Sequence, residues 1–289
     1  MRLSVRLIAA VMAAATAMLL LPAAAPAATP KHSSAQGDSV AAQLDWLKLG
    51  PYRYGHARLT IVRDGVAVLD HPTVAPICLG GPCPRSDDAQ PEAAASGQGA
   101  LTVADLDGDG EPEVIVDLYT GGAHCCSYSR VYRYDPATGT YTDTLHLWGD
   151  PGYRLEDVSG DGKPEFVSAD DRFAYAFTDY AASGLPIQIF AYAGGAFTDV
   201  TRAYPALIAA DAAQWLGVYR RERRRHGPKD LKGIVAAYVA DEYLLGDGAP
   251  GEALLRAAKR RGDLGGFGGS ATRFTARLHR FLRHNGYIA

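Results

Sequence analysis

Two acidic turns of nearly the same spelling limit what this chain can fold into. DLDGDGEPEVIVD begins at Asp105 and DVSGDGKPEFVSA begins at Asp157, 52 residues later. Each leads into an apolar run, and each repeat ends in an aromatic segment around glycine: VYRYDPATGTYTDT from Val131 and IFAYAGGAFTDVT from Ile189. The order is acidic loop, strand, spacer, hairpin, read twice. A period near 50 marks stacked units, each a small antiparallel sheet. Leu59 and Ile61, then the run 66–69 after Arg63-Asp64-Gly65, read as the closing hairpin of a third, degenerate unit. Residues 38–204 hold about three such units, and a closed propeller needs about four to eight. The expectation is therefore a partial set of propeller-like blades.

Past Pro205 the period changes. Ile208, Ala212, Trp215 and Tyr219 recur at helical spacing, as do Leu231, Ile234, Val235, Tyr238 and Val239, and later Phe274, Leu278, Phe281 and Leu282. Residues 205–289 thus read as three to four amphipathic helices, which makes the fold class α+β, with antiparallel β repeats followed by a helical segment. The strand repeats are the nearest partner for the apolar helix faces. Charge divides at the same place. Residues 28–204 carry 12 Lys/Arg against 24 Asp/Glu, whereas residues 205–289 carry 15 against 8. A chain that is 47% hydrophobic and 21% charged buries a core.

The N-terminus reads as an export signal over residues 1–27. Arg2 and Arg6 precede an apolar run, and Ala25-Pro26-Ala27 offers small residues for cleavage. The run is shorter than the ~20 residues of a spanning helix. Residues 28–43 are small, polar and aperiodic and read as a flexible linker, leaving 44–204 as the β-repeat domain. An exported chain with acidic repeats does not suit nucleic acid, and no transmembrane span is expected after the leader.

Calcium is a hard cation that takes about six to eight oxygens. In the first loop Asp105, Asp107, Asp109, Glu111 and Glu113 occupy positions 1, 3, 5, 7 and 9, and Gly110 permits the sharp turn between them. Glu111 would offer its backbone carbonyl. The loop starts like an EF-hand but has Val116 at position 12, and its flanks read as strands. This pattern resembles the FG-GAP/VCBS repeat of integrin α-subunit propellers and many secreted bacterial proteins. The resemblance covers about residues 100–204 and implies calcium ligation by Asp105, Asp107, Asp109 and Glu113. In the second loop it implies Asp157, Asp161 and Glu165, with Ser159 in place of the middle Asp. A hydroxyl is a poorer ligand than a carboxylate, so the second site should be weaker or empty.

Four cysteines in an exported chain suggest disulfides. Cys78 and Cys83 are close enough for a local loop, which would leave the neighbours Cys125 and Cys126 as a vicinal bridge; two cross-linked pairings stay open. His124, Cys125 and Cys126 together could hold a soft metal or act in thiol chemistry. The run 220–226 (RRERRRH) reads as a solvated helix end or as a grip for an anionic partner. Tyr128, Trp148 and Tyr153 read either as sheet packing or as an aromatic binding surface. His56 and His146 are isolated and read as surface or loop histidines. No nucleophile motif is present, although the many carboxylates leave room for a hydrolase built on an Asp/Glu pair. The sequence therefore points to a secreted, non-catalytic calcium-binding repeat protein that acts in binding or adhesion toward an unidentified extracellular ligand. Its rivals are an extracellular hydrolase with a structural calcium site and a thiol or metal-handling protein.

Overall fold

The computed structural model describes residues 28–50, 53–72, 90–91, 99–122, 125–226, 231–266 and 269–288. The segment read as a leader, Cys78, Cys83, His124 and the side chains of Cys125 and Cys126 lie outside the described residues.

Three antiparallel sheets follow one another along the chain. The first is a meander of β1 (Thr29–Gly37), β2 (Val40–Gly50), β3 (Arg53–Arg63) and β4 (Val66–Pro72). The second contains β5 (Gln90–Pro91), β6 (Leu101–Ala104), β7 (Glu113–Gly122), β8 (Cys125–Asp135) and β9 (Thr140–Gly149). Its order is β5-β7-β8-β9, with β6 also paired to β7. The third is a meander of β10 (Arg154–Glu156), β11 (Glu165–Ala169), β12 (Ile187–Ala193) and β13 (Ala196–Asp199).

Residues 28–43 correct the sequence reading: they are not a linker. β1 pairs with β2 in unbroken register from Thr29↔Lys48 to Gly37↔Val40, across a tight turn with Asp38 at φ 43°. β1 is an edge strand whose side chains are largely exposed, so main-chain hydrogen bonds hold it and no apolar alternation is needed.

β7 shows why the sheets stack. An apolar run buried on both faces must have a layer on either side. Val114, Val116 and Leu118 pack toward the first sheet, against Leu44, Leu59 and Ile61. Ile115 packs toward the third, with Trp148, Tyr153 and Phe166. The two ends of the stack differ. The far face of the first sheet is polar, with Gln43 bonded to Asp45 (2.8 Å) and Arg58 paired with Asp70 (2.6 Å). Against the far face of the third sheet lies a helix, across a 480 Å³ cavity lined by Tyr153, Val167, Ile187, Leu207 and Trp215.

That helix is α1 (Pro205–His226), followed by α2 (Lys232–Leu244), α3 (Ala249–Arg261) and α4 (Ala271–His284). Its first residue is the proline at which the sequence period changed, a position where the missing N–H removes no helical bond. α2 departs from the expected amphipathic form, because every residue from Lys232 to Asp241 is buried. The helices pack mainly on one another around α2, with Tyr219, Leu255, Phe274, Leu278 and Leu282 in the shared core. The strands contribute little to that core. Phe173 and Phe177, from the β11–β12 connection, do enter it. Gly233 allows the closest crossing, since a Cβ there would stand 2.2 Å from the Ala182 carbonyl oxygen.

Polar ties lock the two parts together. The Arg202 guanidinium donates to the carbonyls of Tyr243 and Leu244 at the end of α2 and of Gly286 and Tyr287 after α4, at 3.0–3.1 Å. Asp170 accepts from the Tyr287 hydroxyl at 2.7 Å, and Arg172 donates to Asn285 at 3.1 Å. Among the described residues no helix is long and apolar enough to cross a membrane.

Candidate metal centre

Both acidic loops join the first two full strands of their sheets, and their internal hydrogen bonds match position by position. Asp105 accepts the N–H of Gly108 (2.7 Å) and of Gly110 (3.0 Å); Asp157 accepts those of Gly160 (2.7 Å) and Gly162 (2.9 Å). Asp109 accepts from Glu111 N (2.8 Å), as Asp161 does from Lys163 N (3.0 Å). Glu113 accepts from Leu106 N and Glu165 from Val158 N, each at 3.0 Å. Gly108, Gly110, Gly160 and Gly162 lie at φ 75–88°, which glycine adopts without a Cβ clash. The repeat seen in sequence is therefore also a repeat of loop conformation.

Beyond this frame the loops diverge. In the first, carboxylate oxygens of Asp105, Asp107 and Asp109 lie within 4.8 Å of one another. Glu113, the first residue of β7, is 1% exposed. Its Oε1 and the Oδ1 of Asp107 are buried without a hydrogen-bond donor. Burial, assisted by Asp107 and Asp109, pushes the Glu113 carboxyl up to about 8. In the second loop the equivalent oxygen is satisfied: the Tyr204 hydroxyl donates to Glu165 Oε1 at 2.6 Å. Ser159, at the third position, bonds inside the loop to Asp157 (3.3 Å).

Arg133 was not singled out by the sequence reading. It donates to Asp109 at 2.8 Å, and its Nε stands 3.7 Å from both Asp107 and Glu113. The signal was present, since the second hairpin has Ala191 where the first has Arg133. Glu111, expected to contribute a backbone carbonyl, points its carboxylate away into a two-bond pair with Arg63 of β3 (2.6 and 2.8 Å). Asp107 also accepts from Gly194 N, in the β12–β13 turn, at 3.1 Å. One loop thus touches all three sheets.

The residues fit a hard cation. Oxygens are the only ligating atoms, several converge from one turn, and two of them are buried without a hydrogen bond, the Arg133 guanidinium standing 3.7 Å from their carboxylates. Asp105, Asp107, Asp109 and Glu113 would hold the ion, which would neutralise their mutual repulsion. The second loop fits it less well, because a phenol already fills the place where Glu165 would meet it.

The remaining candidates fall elsewhere. Tyr128, Trp148 and Tyr153 are 0–3% exposed, so they pack the sheets and form no binding surface. Tyr153 and Ser129 donate to buried Asp117 (3.0 and 2.5 Å), and Trp148 Nε1 donates to Ser129 (2.7 Å). His146, read as a surface or loop histidine, instead lies in β9 among Trp148, Phe190 and Phe197, with ring centroids 4.1–4.6 Å away. Burial pushes its imidazole down to about 4. His56 is exposed on β3 at φ 58°. In the basic run, Arg223 turns back to the buried Asp263 (3.2 Å) while Arg220, Arg221, Arg224 and Arg225 are exposed. Asp211 and Asp241 form a carboxyl pair between α1 and α2. Asp241 is fully buried.

No family model matches the chain, and no solved structure matches it. It is similar to a probable thylakoid lumen protein of Synechocystis, with 32% identity over 179 residues, 57% of this chain and half of that protein. An uncharacterised protein of Sinorhizobium fredii is 32% identical over 115 residues, 40% of this chain and 16% of that one. The chain therefore spans half or less of the curated relatives it matches.

Proposed function

We propose that this chain is an exported calcium-binding β-repeat protein in the manner of the FG-GAP/VCBS repeats, with a non-catalytic role in binding or adhesion. The observation that carries the reading is the pair of buried, donor-less oxygens on Asp107 and Glu113 beside Asp105 and Asp109. A buried polar atom without a partner is destabilising, and a divalent cation is the ligand that would satisfy both oxygens. Export is supported by the leader pattern and by likeness to a protein named for a lumen. The ion's role is structural: it would pin a loop that reaches all three sheets. The external ligand is an extracellular molecule or protein.

Calcium titration followed by thermal unfolding tests this. The melting temperature should rise with calcium and fall with chelator, because a ligand of the folded state alone stabilises it by mass action. Asp107→Ala should abolish most of the shift, and Asp161→Ala should leave it nearly intact. Equal losses would contradict the ranking of the two loops, and no shift in the unmutated protein would remove the proposal.

A further inference from the structure

The cavity between the third sheet and α1 carries a charge that packing alone does not explain. Tyr153, Val167, Leu185, Leu207 and Trp215 give it apolar and aromatic walls around 480 Å³, a size that suits a small organic molecule. Among the described residues that line it, Asp211 is the one acid. Exposed Arg154 and Gln214 also belong to the lining, and Arg154 leans on Glu156 at 3.6 Å. The cavity shares no side chain with either acidic loop.

Asp211 has a structural duty, and one of its two oxygens meets it. The N–H of Ile187, at the start of β12, and the indole N–H of Trp215, one turn along α1, both donate to Oδ2 at 3.0 Å. Oδ1 is free of this tie. Beside Asp211 stands Asp241 of α2, fully buried, with no hydrogen bond to either of its oxygens. Its neighbours along α2, Val239 and Ala240, are core residues, and an apolar side chain would fill the same place without the cost of desolvating an acid. Burial raises both carboxyls, Asp241 to about 10. Asp241 is therefore neutral near neutral pH, and Asp211, which has two N–H donors, carries the charge of the pair. Two carboxyls kept together beside an apolar cavity form a negative site that lacks a counter-charge.

We infer that this cavity binds an organic ammonium, a primary amine on an apolar body, with its charged head at Asp211 and its body along the walls. Calcium is a poor match, because it takes about six to eight oxygens and the cavity offers one carboxylate among apolar side chains. An ammonium needs less. One ionised partner suffices, and aromatic rings such as those of Trp215 and Tyr153 attract cations further.

Titration calorimetry of the full chain at neutral pH tests this with three probes of one shape: 2-phenylethylamine, 2-phenylethanol and phenylacetate. The amine should bind at least about tenfold more tightly than the alcohol, the worth of a hydrogen bond to a charged group, and phenylacetate should bind least. The chain has three tryptophans, so the indole N–H resonance of Trp215 can be assigned by its loss in Trp215→Phe. That resonance should move with the amine, because its acceptor is the group the amine engages. Asp211→Asn keeps an oxygen for Ile187 and Trp215 and gives Asp241 a donor. It should reduce amine binding to the level of the alcohol without lowering the melting temperature. If the variant does not fold, the amine-to-alcohol ratio and the Trp215 resonance of the unmutated chain decide. Equal binding of amine and alcohol, no binding of any probe, or full amine binding by Asp211→Asn would overturn the assignment. So would tightest binding of phenylacetate, which would give the cavity to Arg154.

Discussion

At the scale of single residues, Arg133 and Asp241 make the sharpest claims. Arg133 offsets the first acidic loop from outside and competes with any ion inside it. Arg133→Gln should therefore lower stability in chelator yet raise calcium affinity, by roughly tenfold for the removal of one nearby positive charge; calorimetric titration reads both. Asp241 tests burial without an ion. Neither of its oxygens receives a donor, and desolvation followed by the Asp211 charge pushes its carboxyl up to about 10. A carboxyl whose pKa is raised on folding contributes stability that is complete below its unfolded value near 4 and is lost as pH rises toward 10. Asp241→Asn keeps a donor toward Asp211 and removes that loss. Its melting temperature should exceed the parent's by a margin that grows from pH 5 to pH 9. A constant or shrinking margin would refute the raised Asp241 carboxyl.

At the scale of elements, one loop design serves two ends. The backbone frame set by Asp105 and Asp157 is common, so Asp-Gly spacing dictates the turn whether or not a cation binds. The oxygen left over on the following glutamate decides the rest. In the first loop it has no hydrogen bond, only Arg133 Nε at 3.7 Å, and in the second it meets Tyr204, the residue just before α1. Tyr204→Phe should cost about 1–3 kcal/mol by stripping the donor from a buried carboxylate, with a smaller loss if calcium then enters the second loop. Thermal unfolding with and without calcium measures this, and a variant as stable as its parent in chelator would show that the phenol is dispensable. Arg202 is the comparable device between helices, one guanidinium on the carbonyl ends of α2 and α4.

At the scale of the whole molecule, the described sheets form an open stack that ends in a polar face on one side and a helical body on the other. That is how a repeat array avoids exposing an apolar end. The ties at Asp170, Arg202 and Tyr204 predict that stack and helices unfold together. Trp148 fluorescence, in a variant lacking Trp46 and Trp215, should change at the same temperature as the helical CD signal, and Arg202→Ala should lower both or separate them. Two transitions in the unmutated protein would mean that the two bodies are thermodynamically independent. Among the described residues, the ties between the two regions include these hydrogen bonds and the apolar contacts of Phe173 and Phe177.

The sequence alone determined the periodic features. Acidic turns, strand repeats and the change to helical spacing at Pro205 follow from local chemistry, because turn propensity and side-chain alternation act over a few residues. It misjudged residues 28–43, since an edge strand held by main-chain bonds leaves no side-chain pattern, and it misjudged α2, whose burial on every side removes the amphipathic stripe. Only the tertiary structure decided which acidic loop keeps an unsatisfied oxygen. Arg133, Gly194 and Tyr204 come from distant parts of the chain, and whether a buried carboxylate finds a donor depends on what folding brings within about 3 Å of it.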